Sequence, residues 1–200
     1  MKAAVLNAFG SPLAIETVPD PVIGTGEVIV DVAASRVLAY ANEVLSGERK
    51  YLLELPVVPG PGAIARVRAT GPDATRLRPG DWVYCDPTVR SRDNARSPDI
   101  ALQGLTAGSE AGLPLQRYFH DGASAEQMRL PTENATPIGA IDEKDAGRWC
   151  AMGLPQRAIS SSRLTIRRCA AMHRRLGPVQ ATTGARPLKA PLSGTPRAQP

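Results

Sequence analysis

Acidic side chains stop at Asp145 in this chain of 200 residues. The first 150 residues hold 15 Lys/Arg and all 19 Asp/Glu, whereas residues 151–200 hold nine Lys/Arg and no acid. The net charge of +5 therefore hides an acidic body and a basic tail with different physics. Aromatic residues are scarce at 4%, which excludes an aromatic-rich core and leaves an aliphatic one. No run approaches 18 apolar residues, so no helix long and apolar enough to span a membrane is expected. The opening Met1–Gly10 has an apolar run too short for a signal peptide. Cysteine is limited to Cys85, Cys150 and Cys169, an odd and scattered set that excludes a disulfide framework. Such usage fits a reducing compartment and predicts a cytoplasmic protein.

Glycine and proline, by contrast, are plentiful at 18 and 19 residues, and they favour short strands over long helices. Lys2–Leu6 and Leu13–Val18 flank Gly10-Ser-Pro12 and predict a hairpin. Val28–Ala34 is β-branched and alternating, the strongest strand of the chain. Arg36–Leu45 predicts a short helix that Gly47 stops. Further strands are predicted over Ala63–Ala69, Asp81–Cys85 and Gly122–Leu130, while residues 87–120 show little periodicity and read as loop. Asp142–Ala151 predicts a helix with acids in its first turn, where the helix dipole favours them. The fold class is thus mainly β with short helices, a small barrel or sandwich to about residue 140. A poorly ordered or partly helical basic tail follows, with some helical apolar spacing over Gln156–Arg175 and Gly, Pro, Thr, Ala and Arg dominating from Gly177.

Several segments, in this order and spacing, resemble the N-terminal domain of the medium-chain, zinc-type alcohol dehydrogenase and quinone reductase superfamily. They are Met1–Leu6, Gly24-Thr-Gly-Glu-Val28, Leu55-Pro-Val-Val-Pro-Gly60, Gly71, Arg78-Pro-Gly-Asp-Trp-Val83, Asp121–Gln127 and Leu130-Pro131. The resemblance implies a GroES-like β-barrel over residues 1–152 that carries the substrate cleft. In complete members a Rossmann domain follows and supplies NAD(H) or NADP(H) for hydride transfer to or from a small alcohol or carbonyl compound.

A catalytic zinc needs three protein ligands and an open fourth position. In zinc-dependent members the resemblance places a Cys at about Val37 and a Gly-His-Glu where this chain has Gly60-Pro61-Gly62. Valine, proline and glycine offer no ligand atom, so no zinc is expected. The four-cysteine structural lobe has no counterpart, since Cys85 stands alone. Cys150 falls near the last catalytic ligand of the family and is expected to be a buried structural residue. His120, beside Asp121, is read as a loop residue with a surface role, an acid/base function being the alternative. His173 lies in the basic tail and is read as solvated. Tyr40 is the one catalytic candidate, a cleft-lining phenol able to donate a hydrogen bond to a carbonyl, against packing on the barrel as the alternative. Arg36, Asp86, Arg90, Arg92 and Arg96 are read as a solvated face, although such a set could also attract an anion.

A dinucleotide fold needs Gly-x-Gly-x-x-Gly between strand and helix, with an acid about 20 residues later. Residues 153–200 contain neither, so no cofactor-binding residue is assigned and NAD(P)H is implied only for full-length relatives. The expected function is that of a truncated, zinc-lacking alcohol dehydrogenase-like oxidoreductase, inactive as this chain, its tail arising from a shifted reading frame or truncation. The alternative is a non-catalytic GroES-like module whose basic tail contacts nucleic acid or an acidic partner. Nucleic acid is disfavoured, because the tail lacks Lys clusters and aromatics for base stacking. Self-association through uncovered barrel surface is expected instead.

Overall fold

The computed structural model describes residues 1–94 and 96–152. The predictions for the basic tail, His173 and Cys169 included, lie outside the described residues. Among the described residues ten strands form in three sheets: β1 (Lys2–Val5), β2 (Ala14–Thr17), β3 (Glu27–Ser35), β4 (Ala63–Thr70), β5 (Trp82–Cys85), β6 (Thr88–Arg90), β7 (Ile100–Leu102), β8 (Thr106–Ala107), β9 (Gln127–Pro131) and β10 (Ala135–Pro137). The predicted hairpin is β1–β2, with Ala4 opposite Ile15. The main sheet runs β10-β5-β4-β3-β9, antiparallel at every step. A smaller sheet follows the order β6-β7-β8.

Strand β3 is central because its run of β-branched residues suits burial on both faces. Val28 and Val30 are fully buried and pack with Val67, Val83, Met128 and Leu130 in the barrel core. Ala63 and Ala65 of the neighbouring β4, both fully buried, belong to the same core cluster. Isolated bridges Ala3–Ala125, Leu6–Val57 and Leu52–Ala107 stitch the hairpin and the small sheet to the rest. A second cluster of Leu6, Val44, Leu53, Val57 and Leu105 fills the space between them.

Two expectations need correction. Residues 87–120 are not loop: they build β6, β7, β8 and the helix α2 (Leu113–Tyr118), with Pro114 in its first turn. Each strand is only two or three residues long, too short for period-2 alternation, and cross-strand pairs such as Thr88 with Leu102 define it. The helix predicted from Arg36 shrinks to α1 (Ala41–Leu45), because the Arg36 N–H donates to the Gly62 carbonyl and holds the preceding residues out of helical geometry. Helix α3 (Ala146–Ala151) follows a 3-10 turn at Glu143–Asp145, whose start the Asp142 side chain caps by accepting from the Lys144 N–H.

Arg92 is also not simply solvated. It donates to both carboxylate oxygens of Glu133, at 2.8 and 3.0 Å, and to the Gly26 carbonyl at 3.0 Å. Those bonds tie the connection after β6 to the turn that opens β3.

Candidate substrate cleft

Three distant segments meet behind the turn Pro59-Gly60-Pro61-Gly62. Gly60 and Gly62 both have positive φ, 114° and 83°, a backbone region glycine enters at no steric cost. The turn is fastened by Ala123 N–H to Gly60 O and Ser124 N–H to Pro59 O, each 2.9 Å. Gly122 donates to Val58 O at 2.7 Å, so the segment before β9 runs against the turn as an extra strand would.

In front of this wall lies a cavity of about 80 Å³. Its floor and sides are aliphatic: Val44, Leu45, Leu53 and Leu105, with Leu13 and Val37 at the rim, 40% and 79% exposed. Pro59, Gly60, Pro61 and Gly104 supply the back. Among the described residues, the polar side chains on the lining are those of Arg36 and Ser124. Val37 and Pro61, two of the positions where the resemblance puts metal ligands, therefore face one cavity. Among the described residues no three His, Cys, Asp or Glu side chains converge to hold a metal ion.

Tyr40 precedes α1 and packs partly buried on the Leu6–Val57 cluster. The Arg49 guanidinium lies 4.4 Å from its ring centre. Burial is the main cause of its raised pKa, and a hydrogen bond with Tyr51 adds to it. Tyr40 is not itself on the cavity lining, although its neighbours Leu38 and Ala41 are.

Cys150 is buried in α3. Burial pushes its thiol pKa up, against the opposing effects of an Ile64 backbone hydrogen bond and the Arg36 charge. Fully buried Cys85 is pushed to about 12, chiefly by the same desolvation. Neither thiol is a nucleophile at neutral pH in this state.

His120 lies outside the cavity and acts as a clamp. Its Nδ1 is 3.0 Å from Asp121 Oδ1 and its Nε2 is 3.3 Å from the Glu54 carbonyl. Both partners are acceptors, so only the doubly protonated ring satisfies both. The hydrogen bond with Asp121 is the leading cause of its raised pKa, opposed by burial. For Asp121 burial works upward, yet bonds from His120 and the Val58 N–H carry its carboxyl below the usual range. A raised folded-state pKa means that the His120 contribution is complete below about 6.5 and is lost as pH rises through the folded value. The Asp121 contribution has the opposite sign, being present above the ordinary Asp value and lost as pH falls. Thermal melts of the wild type are therefore expected to lose stability as pH rises above about 6.5. His120→Gln should flatten that slope, and an unchanged slope would show the clamp to be inert.

Family comparison decides what kind of domain this is. The sequence pattern described as the alcohol dehydrogenase GroES-like domain matches residues 24–140. The chain belongs to that family. An alcohol dehydrogenase of Geobacillus stearothermophilus is 34% identical over 163 residues, covering 76% of this chain and 44% of that protein. One from Rhizobium meliloti is 36% identical over 83 residues, covering 42% of this chain and 24% of its own length. Among solved structures, an NAD-dependent alcohol dehydrogenase superposes with a TM-score of 0.57 at 27% identity, over 68% of this chain and 39% of its own. The alcohol dehydrogenase of Aeropyrum pernix reaches a TM-score of 0.60 at 23% identity, over 73% of this chain and 42% of its own, and supports the fold alone. This GroES-like chain thus spans less than half the length of these relatives. Among its described residues no helix is long and apolar enough to cross a membrane.

The sequence pointed to the turn at Gly60–Gly62 and to Val37, and the fold brings Gly60, Pro61 and Val37 to one cavity. It gave no sign that Gly104, Leu105 and Ser124 complete the cavity. Gly104 and Leu105 lie in the region read as loop and Ser124 in the strand predicted over Gly122–Leu130, and the backbone bonds of Gly122, Ala123 and Ser124 to Val58, Gly60 and Pro59 bring that strand's start to the turn.

Proposed function

We propose that residues 1–152 form the substrate-cleft domain of an oxidoreductase of the alcohol dehydrogenase type, and that the cavity holds the apolar body of a small alcohol or carbonyl compound. The carrying observation is the aliphatic cavity against the Pro59–Gly62 turn, within the region that matches the family. Hydride transfer in such a protein would use NADH or NADPH held by a separate dinucleotide fold. Residues 153–200 contain no Gly-x-Gly-x-x-Gly, and the chain by itself turns over no substrate. Zinc takes no part, because Val37, Pro61 and Gly62 offer no ligand atom. Tyr40 is the candidate hydrogen-bond donor to the carbonyl from beside the cleft, a role supported by its place in sequence between the lining residues Leu38 and Ala41. A reducing, cytoplasmic setting is supported by the free thiols of Cys85 and Cys150. Self-association is supported by Ile15 and Val22, which are 74% and 78% exposed.

The test is a titration of the 200-residue chain with 1-butanol and butanal, followed by NMR shifts of the Leu105 and Val44 methyl groups. Saturable shifts are expected, and they should vanish in Val37→Trp, which blocks the rim from an exposed position. Parallel assays with NADH and NADPH should show no substrate-dependent oxidation. Turnover would refute the inactivity, and unshifted methyls would refute the cleft.

A further inference from the structure

Resting on that cleft reading, we infer that Arg36 is an anion-recognition residue and that the cavity selects a short aliphatic molecule carrying a carboxylate. Three observations meet here. First, among the described residues Arg36 is the only charged one on the lining, amid aliphatic, proline and glycine surface. Second, its backbone is pinned by the 3.1 Å bond from its N–H to Gly62 O, which fixes where the side chain leaves the wall. Third, among the described residues its guanidinium has no hydrogen-bond acceptor and no carboxylate partner. Arg68, Arg92, Arg117 and Arg129, by comparison, each form an ion pair with a carboxylate.

A guanidinium presents a planar fork of donors that matches a carboxylate in two parallel bonds. Beside the apolar lining, the guanidinium can take an anionic head while the acyl chain is buried in the cavity. No carboxylate side chain competes for it on the lining. The charge reaches inward as well, since Arg36 works against the raised pKa values of Tyr40, Tyr84 and Cys150. The Ser124 hydroxyl, the other polar group of the lining, has no hydrogen-bond partner among the described residues and is open to a second ligand oxygen. A cavity of about 80 Å³ has room for roughly three water-sized groups, as many as the apolar carbons of butyrate. That size suits an acyl chain of about four carbons with its head at Arg36.

The decisive measurement compares sodium butyrate with 1-butanol on the full chain at low salt, by NMR titration of cavity residues. Butyrate is expected to bind about tenfold more tightly. Arg36→Gln should remove that preference, weakening butyrate about tenfold more than 1-butanol. Arg36→Lys should restore part of it, because a point charge replaces the fork. Added salt should weaken butyrate alone. If butyrate binds no better than 1-butanol, or Arg36→Gln leaves its affinity intact, the anion subsite is wrong and the cleft stands. If neither probe moves the cavity residues, both fall. Arg36 is exposed, so its variants are expected to fold, and their amide spectra check that directly.

Discussion

Gly122→Ala is expected to cost about 3 kcal/mol and to lower the melting temperature by roughly 10 °C. A Cβ at Gly122 would sit 2.6 Å from the Gly60 carbonyl oxygen and 2.9 Å from the Gly104 Cα. Both are backbone atoms of other segments, and neither can swing aside as a flexible side chain could. The clash would also break Gly122 N–H to Val58 O, which holds the lead into β9 against the turn. Gly147→Ala in α3 provides the internal contrast, since a Cβ there meets nothing within 4 Å. Alanine inside a helix should stabilise it by about 0.5–1 kcal/mol. If the two substitutions gave similar shifts by thermal or urea melts, close packing at Gly122 would not be the cause.

Glu27→Ala should be nearly as damaging, at about 3 kcal/mol. Glu27 is 2% exposed at the start of β3, yet it carries a carboxylate. Gly24 N–H donates to Oε2 at 2.7 Å, the Tyr118 hydroxyl hydrogen-bonds to it, and Arg129 stands 3.7 Å away. Removing the carboxylate strands an amide N–H and leaves Arg129 facing an uncompensated site. Glu27→Gln keeps an acceptor for Gly24 and should cost about half as much. Tyr118 supplies a second readout. Its pKa is raised first by the bond to Glu27, so both variants should lower it in an ultraviolet titration. An unmoved Tyr118 pKa would separate Glu27 from this network.

The elements legible in the sequence are those whose signal is local. Strand β3 declares itself by a run of β-branched residues, and β1–β2 by a proline-containing turn between two apolar stretches. Strands β6 to β8 are invisible for the opposite reason. Thr88 pairs with Leu102 across an intervening loop, and three residues cannot display alternation. Helix α2 does carry one local sign, Pro114 in its first turn, but six residues leave too little apolar periodicity to outweigh the loop-like composition around it. The site was half legible. Gly60 and Gly62 announced a turn without reactive side chains, while Arg36 looked like one member of a solvated charged face. Its difference from Arg92 lies in partners far apart in sequence: Glu133 meets Arg92, and among the described residues no acid meets Arg36.

The crossing of Gly60, Gly104 and Gly122 also decides how this domain can adapt. The rear of the cavity is main chain, and substitution there is answered by a clash rather than by a new surface. Leu13 and Val37 at the rim project from exposed positions and can be exchanged at little cost. Ligand preference in this chain is therefore free to drift from the front while the back stays fixed, and selection or engineering for a new substrate should accumulate changes along one edge only.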